Sequence, residues 1–242
     1  MKEKIDNVEF RGIPKEIQEK IEKKNATELV FILDKSGSMA SLVGDTIGGF
    51  NTMIEKQKEK EGKVYVSTIL FSNSSEILHD RKNLEEIEPL TREDYQPSGC
   101  TALLDAIGGA IKHIGKIHKY ARKEDVPKHT MFVITTDGME NASKEYSSRQ
   151  IKEMIRRQEE KYGWEFLFVA ANIDAVETAE NIGIRRERAA NYSAERDTTR
   201  MYSLMADTID EYRDTGRVMK EWGGHFESEL KQKDAKDIDK QK

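Results

Sequence analysis

Cysteine is almost absent from this sequence, with Cys100 the one example in 242 residues. No disulfide can form within the chain, and no four-cysteine zinc site can be built. Cys100, His113 and His118 have spacings similar to part of a zinc finger, but the first cysteine of the pair is missing. A helix that carries two histidines is the plainer account. No apolar run comes near the ~18 residues that a membrane span requires. The opening residues, MKEKIDNVEFRG, lack the apolar stretch of a secretion signal. A free thiol with no export signal leads to the expectation of a cytoplasmic protein. Neither sign of charge dominates. The 40 Lys and Arg are interspersed with 45 Asp and Glu, for a net charge of −5, which leaves no basic footprint for nucleic acid. Neither nucleic acid nor membrane is therefore an expected partner.

What the chain does contain is an alternation of two kinds of segment. Hydrophobic residues make up 36% and charged residues 35%, which suits one compact core surrounded by long solvated helix faces. Glu28 to Leu33, Val64 to Phe71, His129 to Thr135 and Trp164 to Ala171 are short runs rich in β-branched and aromatic residues, and read as buried strands. Glu76 to His79 is a weaker strand suited to an edge, and Arg188 to Tyr192 a short final one. The polar stretch from His79 to Gly99, with Pro89 and Pro97, reads mostly as loop. Between the strands, Ile47, Phe50 and Ile54 follow a helical period, as do Leu104, Ile107, Ile111 and Ile114. Further helices are expected over Tyr146 to Tyr162, Asp174 to Ile182 and Thr198 to Tyr212. Strands alternating with helices imply an α/β fold with a mostly parallel sheet covered on both faces. Ahead of it, Pro14 to Lys24 reads as a short amphipathic helix. The expected organisation is an N-terminal helical extension over 1–27, one domain over 28–217, and a charged, partly disordered tail over 218–242, with disorder expected from Lys231.

Three loops carry candidate chemistry. The first follows the strand ending at Leu33 and reads Asp34-Lys35-Ser36-Gly37-Ser38-Met39. The second precedes a helix and reads Ser98-Gly99-Cys100-Thr101. The third follows the strand ending at Thr135 and reads Thr136-Asp137-Gly138-Met139-Glu140-Asn141. In an open α/β sheet, ligands bind at the carboxyl ends of the strands. If the strands before the first and third loops are neighbours, Asp34 and Asp137 project toward the same end. Asp34, Ser36 and Ser38 alternate along one loop and can converge. Together with Thr101 and Asp137 they offer only oxygen, the donor that Mg²⁺, Mn²⁺ and Ca²⁺ prefer. Two carboxylates balance a divalent charge. Three hydroxyls add ligands without over-neutralising it, so the cation can accept one more carboxylate from a partner.

This pattern resembles the von Willebrand factor A domain and its metal-ion-dependent adhesion site. The family motif is Asp-x-Ser-x-Ser, then a Thr, then an Asp before Gly. Here those residues are Asp34, Ser36, Ser38, Thr101 and Asp137, and none is missing. The similarity covers about Glu28 to Gly216. It implies a doubly wound, Rossmann-like sheet with a short edge strand. It also implies direct coordination by both serines, coordination by the threonine in the ligand-bound form, and aspartates that act directly or through water. Thr136 to Ser143 and Trp164-Glu165-Phe166 are closer to intracellular bacterial members than to integrins. For such proteins the resemblance implies a protein partner offering an Asp or Glu, with an AAA+ ATPase as one such partner. The chain itself has no Gly-x-x-x-x-Gly-Lys-Ser/Thr phosphate loop.

Each loop alone has a plainer explanation. Ser38 or Ser41 could cap a helix, Thr101 could be an N-cap, and Asp137-Gly138 could be a turn. Asp105 would favour a positive helix N-terminus, and Asp174 would cap one. Glu140 and Asn141 would either brace the Asp137 loop or face water. Cys100, beside Thr101, could be a redox-sensitive thiol at the metal rim, with a small buried filler the plainer account. Gly48, Gly49, Gly108 and Gly109, inside helical patterns, would permit close packing. Function has alternatives too. A metal-dependent phosphatase or phosphotransferase would want a second acid two residues after the nucleophilic carboxylate, where Ser36 stands, and a nearby base. The sequence is therefore read as non-enzymatic. A fold with an idle site is the remaining alternative.

Overall fold

Strand β1 (Thr27–Asp34) is buried at every position. Its alternate side chains enter two separate cores. Leu29, Phe31 and Leu33 face one, and Val30 and Ile32 face the other. A strand with period-two side chains can be apolar throughout only if both faces of its sheet are covered, and here they are. The structure, a computed structural model, describes residues 25–239. The helix expected over Pro14 to Lys24 lies outside the described residues.

β1 lies between β2 (Val64–Phe71) and β4 (His129–Thr136), parallel to both. β5 (Glu165–Ala170) and β6 (Ala189–Asn191) extend the sheet beyond β4, and β3 (Ser75–Asn83) closes the other side as an antiparallel edge, giving the order β3-β2-β1-β4-β5-β6. The first crossover helix, α1 (Val43–Lys58), packs on one face with α5 (Ala194–Thr215) and α6 (Trp222–Asp239). On the other face lie α2 (Leu103–Tyr120), α3 (Ser148–Tyr162) and α4 (Ala175–Ile182). The α/β class and the doubly wound, mostly parallel sheet are as expected. Close approach explains two of the four helical glycines. A Cβ on Gly49 would lie 2.3 Å from the Tyr202 ring, and one on Gly108 would lie 2.7 Å from the Tyr146 ring. Gly48 and Gly109 have no such neighbour within 4 Å. Among the described residues, no helix is long and apolar enough to cross a membrane.

Two expectations need correction. The edge strand is nine residues long rather than four. It pairs with β2 from Phe71↔Ser75 to Tyr65↔Asn83 through irregularities near Thr68, with Arg81 in a left-handed conformation (φ 46°). Its mostly exposed, polar side chains hid it. The domain also does not stop at 217. Val218, Trp222, Phe226 and Leu230 are buried in the core under α5, and helix continues to Asp239 where disorder was expected from Lys231. Trp222 donates its indole N–H to Thr208 Oγ1 at 2.9 Å. Arg188, itself buried, donates to the carbonyls of Val218 and Met219 at 3.2 and 2.8 Å and to Glu165 at 3.0 Å. These bonds hold the segment after α5 against β5 and β6.

The largest surprise inside β1 is Glu28, whose side chain is 0% exposed. Arg81 Nε donates to one carboxylate oxygen at 2.6 Å, and His118 Nε2 lies 2.5 Å from the other. Removing one member of a buried ionic cluster leaves uncompensated charge, at a cost of about 3–5 kcal/mol. Glu28→Ala is therefore expected to lower the urea-unfolding free energy by roughly 3 kcal/mol. A loss below about 1 kcal/mol, the usual size for an exposed pair, would mean that solvent compensates the cluster.

Candidate metal centre

The site forms where the chain reverses its direction of travel across the sheet. From β1 the chain moves to β2 on one side and later returns to β4 on the other. Such a switch point leaves a crevice at the carboxyl ends of the two strands. Leu33 pairs with Thr135, and one step further brings Asp34 level with Thr136. Thr136 Oγ1 donates to Asp34 Oδ2 at 2.6 Å, fixing the carboxylate across the gap. The other oxygen, Oδ1, accepts the Ser36 backbone N–H at 2.7 Å, which curls the loop immediately after the strand. Tyr95 donates its hydroxyl to the Asp34 carbonyl from below.

That curl brings the expected residues together. Ser36 Oγ and Ser38 Oγ are 3.1 Å apart, and Ser38 Oγ donates to Asp137 Oδ1 at 2.6 Å. A Cβ placed on Gly138 would lie 2.9 Å from Thr101 Oγ1, 3.6 Å from Ser38 Oγ and 3.8 Å from Asp34 Oδ2. Glycine thus leaves open a space bordered by oxygens from all three loops. Asp34, Ser36, Thr101 and Asp137 are buried, whereas Ser38 is exposed, so the site opens to solvent on the Ser38 side.

The capping explanations are not what the structure shows. The 3₁₀ turn over Gly37–Leu42 has Ser36 at its N-cap without a side-chain cap bond, and α1 begins after Leu42, also without one. α2 begins after Ala102 rather than Thr101, again without a side-chain cap bond. The three hydroxyls are therefore free to face one another. Asp174, in contrast, is a true N-cap and accepts the Glu177 N–H at 2.9 Å.

The surrounding loops are held by side chains whose part was only partly visible in the sequence. Asn141 Oδ1 accepts the Thr101 N–H at 2.9 Å, while its own N–H donates to the Thr101 carbonyl at 3.1 Å. Glu140 accepts the N–H groups of Leu104, Ala142 and Ser143 at 2.8–3.0 Å. Both brace the loop rather than merely face water. Asp105 does more than sit in the first turn of α2, because its carboxylate gathers the N–H groups of Lys144, Glu145 and Tyr146. Asn73, Tyr95 and Thr136 were missed. Thr136 could have been found from strand parity, since it shares a face with Asp34 once β1 and β4 are neighbours. Asn73 accepts the Cys100 N–H at 2.7 Å. Cys100 itself is exposed rather than a buried filler, because the left-handed Gly99 (φ 75°) turns the chain outward beside Asn73. The partial zinc pattern is dispersed: His113 pairs with Asp80 and His118 with Glu28. Among the described residues, no group of three His, Cys, Asp or Glu side chains is gathered for a metal.

Burial pushes the Asp34 carboxyl above its ordinary range, against the lowering effect of its hydrogen bonds with Thr136 and Ser36. Burial likewise raises Asp137, against its bond from Ser38. Neither carboxylate has an ion-pair partner among the described residues; the adjacent Lys35 turns away to Glu76. Two desolvated carboxylates, three hydroxyls not used as helix caps and a space kept open by glycine fit a hard divalent cation, which would supply the missing positive charge.

Without metal, the ionised form of Asp137 should destabilise the fold. Its folded-state pKa is raised, so it favours folding below the unfolded pKa, and that advantage is lost as pH rises through the folded value. Asp137→Asn keeps an acceptor for Ser38 and removes the charge. In EDTA at pH 7, the variant is expected to melt no lower than the wild type. Added Mg²⁺ is expected to raise only the wild-type Tm. A variant that melts well below the wild type in EDTA would contradict the destabilising charge.

No family model matches the sequence, and no curated protein matches it. Solved structures do match. Proximal thread matrix protein 1 from the mussel byssus, in a form with a zinc-occupied MIDAS motif, is 14% identical with a TM-score of 0.51, covering 76% of this chain and 46% of that one. A von Willebrand factor type A protein from Catenulispora acidiphila is 9% identical with a TM-score of 0.50, covering 76% and 42%. The chain spans under half the length of these structures. At such identities the likeness speaks to fold alone: the sheet and helices described above are those of the von Willebrand factor A fold.

Proposed function

We propose that this chain is a divalent-metal-dependent protein-interaction module. Asp34, Ser36, Ser38, Thr101 and Asp137 hold Mg²⁺, with Mn²⁺ or Ca²⁺ as substitutes, and an Asp or Glu of a partner protein completes the coordination. The observation that carries this reading is the convergence around Gly138 of three hydroxyls not used as helix caps and two buried carboxylates with no ion-pair partner among the described residues. The zinc-occupied MIDAS motif of the mussel protein supports it by analogy of fold. The site's opening at Ser38 leaves a direction from which a carboxylate can arrive. Met139, 72% exposed beside Gly138, offers the partner an apolar contact next to the charge.

The arrangement favours binding over catalysis. A hydrolytic site needs a positioned base. His79 bonds Thr68, His113 bonds Asp80, His118 bonds Glu28, His129 packs on Tyr212, and His225 lies on α6. None of the five is placed beside Asp34 or Asp137. An intracellular partner of the AAA+ class, which the sequence resemblance implies, is the first to test.

In calorimetry, Ser36→Ala is expected to weaken Mg²⁺ or Mn²⁺ binding by more than about tenfold, or about 1.4 kcal/mol, with an unchanged circular dichroism spectrum. Partners captured by the wild type should be released by EDTA and absent with Ser36→Ala. Met139→Asp should keep the metal but lose the partner. Undiminished metal binding in Ser36→Ala would remove the basis of the site. Partner capture that persists in EDTA would separate the interaction from the metal.

A further inference from the structure

The C-terminal halves of α2 and α3, with Val126, Pro127 and Trp164, line a cavity of about 660 Å³ that is open to solvent on one side. Gly115 lies some 12 residues along α2 from Leu103, so by the rise of an α-helix the cavity is roughly 20 Å from the metal centre. Its apolar wall comes from buried Ile111 and Trp164 and half-buried Met154. Tyr120 and Tyr162 also line it, and they are 73% and 52% exposed, so a wide aromatic surface meets solvent here.

Gly115 keeps this space open. A Cβ there would meet nothing nearer than Gln158 Nε2 and the Trp164 ring, both at 3.9 Å. Packing thus does not demand glycine, in contrast to Gly108, although glycine in a helix interior costs about 1 kcal/mol against alanine. The consequence of Gly115 is volume beside an indole.

Charge gives the occupant its sign. Lys112, Lys116, Lys119 and Arg157 line the cavity, and no acidic side chain does. Among the described residues none of the four forms an ion pair; Lys112 bonds Tyr146, Arg157 bonds Tyr162, and Lys119 lies over the Tyr120 ring. Basic residues near helix C-termini answer the helix dipole, but two termini amount to only about one negative charge. Four cations exceed that. His118, the other basic lining group, is already engaged by Glu28.

We propose that this cavity binds a small amphipathic organic anion. Its flat apolar body lies along Trp164 in the space left by Gly115, and its carboxylate, sulfonate or phosphate group faces Lys116, Lys119 and Arg157. The volume falls within the range of small-molecule sites, about 300–1,000 Å³, and the mixture of aromatic wall and a few polar groups is typical of them. The site is separate from the metal centre and does not depend on it.

The test uses 1-anilinonaphthalene-8-sulfonate, a flat aromatic anion that fluoresces on leaving water, with the full chain under native conditions. One saturable site is expected, with energy transfer from tryptophan. Gly115→Phe fills the cavity and should weaken binding by more than about tenfold while the protein still melts cooperatively. The pair Lys116→Glu and Lys119→Glu should also weaken it by about tenfold, and the neutral analogue N-phenyl-1-naphthylamine should bind the wild type correspondingly less well. Unchanged binding in Gly115→Phe overturns the location. Equal affinity for the neutral probe overturns the role of charge. No saturable site at millimolar probe, or a dimer that Gly115→Phe dissociates, overturns the proposal; the dimer would assign the face to a second copy of the chain.

Discussion

Parallel pairing of β1 with β4 is the constraint on which the candidate site rests. The two strands are distant in sequence but adjacent in the sheet, and their register places Asp34 level with Thr136. One hydrogen bond across that gap, from Thr136 Oγ1 to Asp34 Oδ2, orients a carboxylate that the rest of the first loop then wraps. Because the chain leaves β1 on one side and returns on the other, no crossover helix covers this point. The core provides rigidity from both faces, and the loops at the end of the sheet provide the oxygen donors.

The same geometry sets the electrostatics. Burial that secures β1 and β4 also desolvates Asp34 and Asp137 and raises both carboxyls. Elsewhere the protein answers a buried acid with bases, as Arg81 and His118 do for Glu28. At the carboxyl end of the sheet Asp34 and Asp137 have no such base among the described residues, only hydroxyls and an open volume beside Gly138. That contrast, between an acid paired with internal bases and two acids without an ion-pair partner among the described residues, is the physical basis of the proposed function.

Much of this was legible in the sequence for identifiable reasons. Strands buried on both faces write continuous apolar runs, so β1, β2, β4 and β5 stood out, and Asp34, Ser36, Ser38, Thr101 and Asp137 could be placed at loop positions beside them. What depended on long-range pairing was not legible. β3 is polar because it lies at an edge, and only its ladder with β2 gives its length. Arg188, charged in sequence, is a buried clamp on Val218 and Met219, so the charged segment after α5 appeared to be tail when it belongs to the core. Cys100 suited a core by type but was turned outward by Gly99. For β3 and Arg188 local composition was outweighed by a partner far along the chain, and for Cys100 by the turn at the neighbouring Gly99.

The proposed metal centre places one cation among Asp34, Ser36, Ser38, Thr101 and Asp137. A crystal grown with millimolar Mn²⁺ and measured for anomalous scattering addresses it directly. A single peak is expected, bounded by Ser36 Oγ, Ser38 Oγ and the carboxylates of Asp34 and Asp137, with its nearest oxygens within about 2.3 Å, as hard divalent ions require. A peak elsewhere, or none at this end of the sheet, would contradict it.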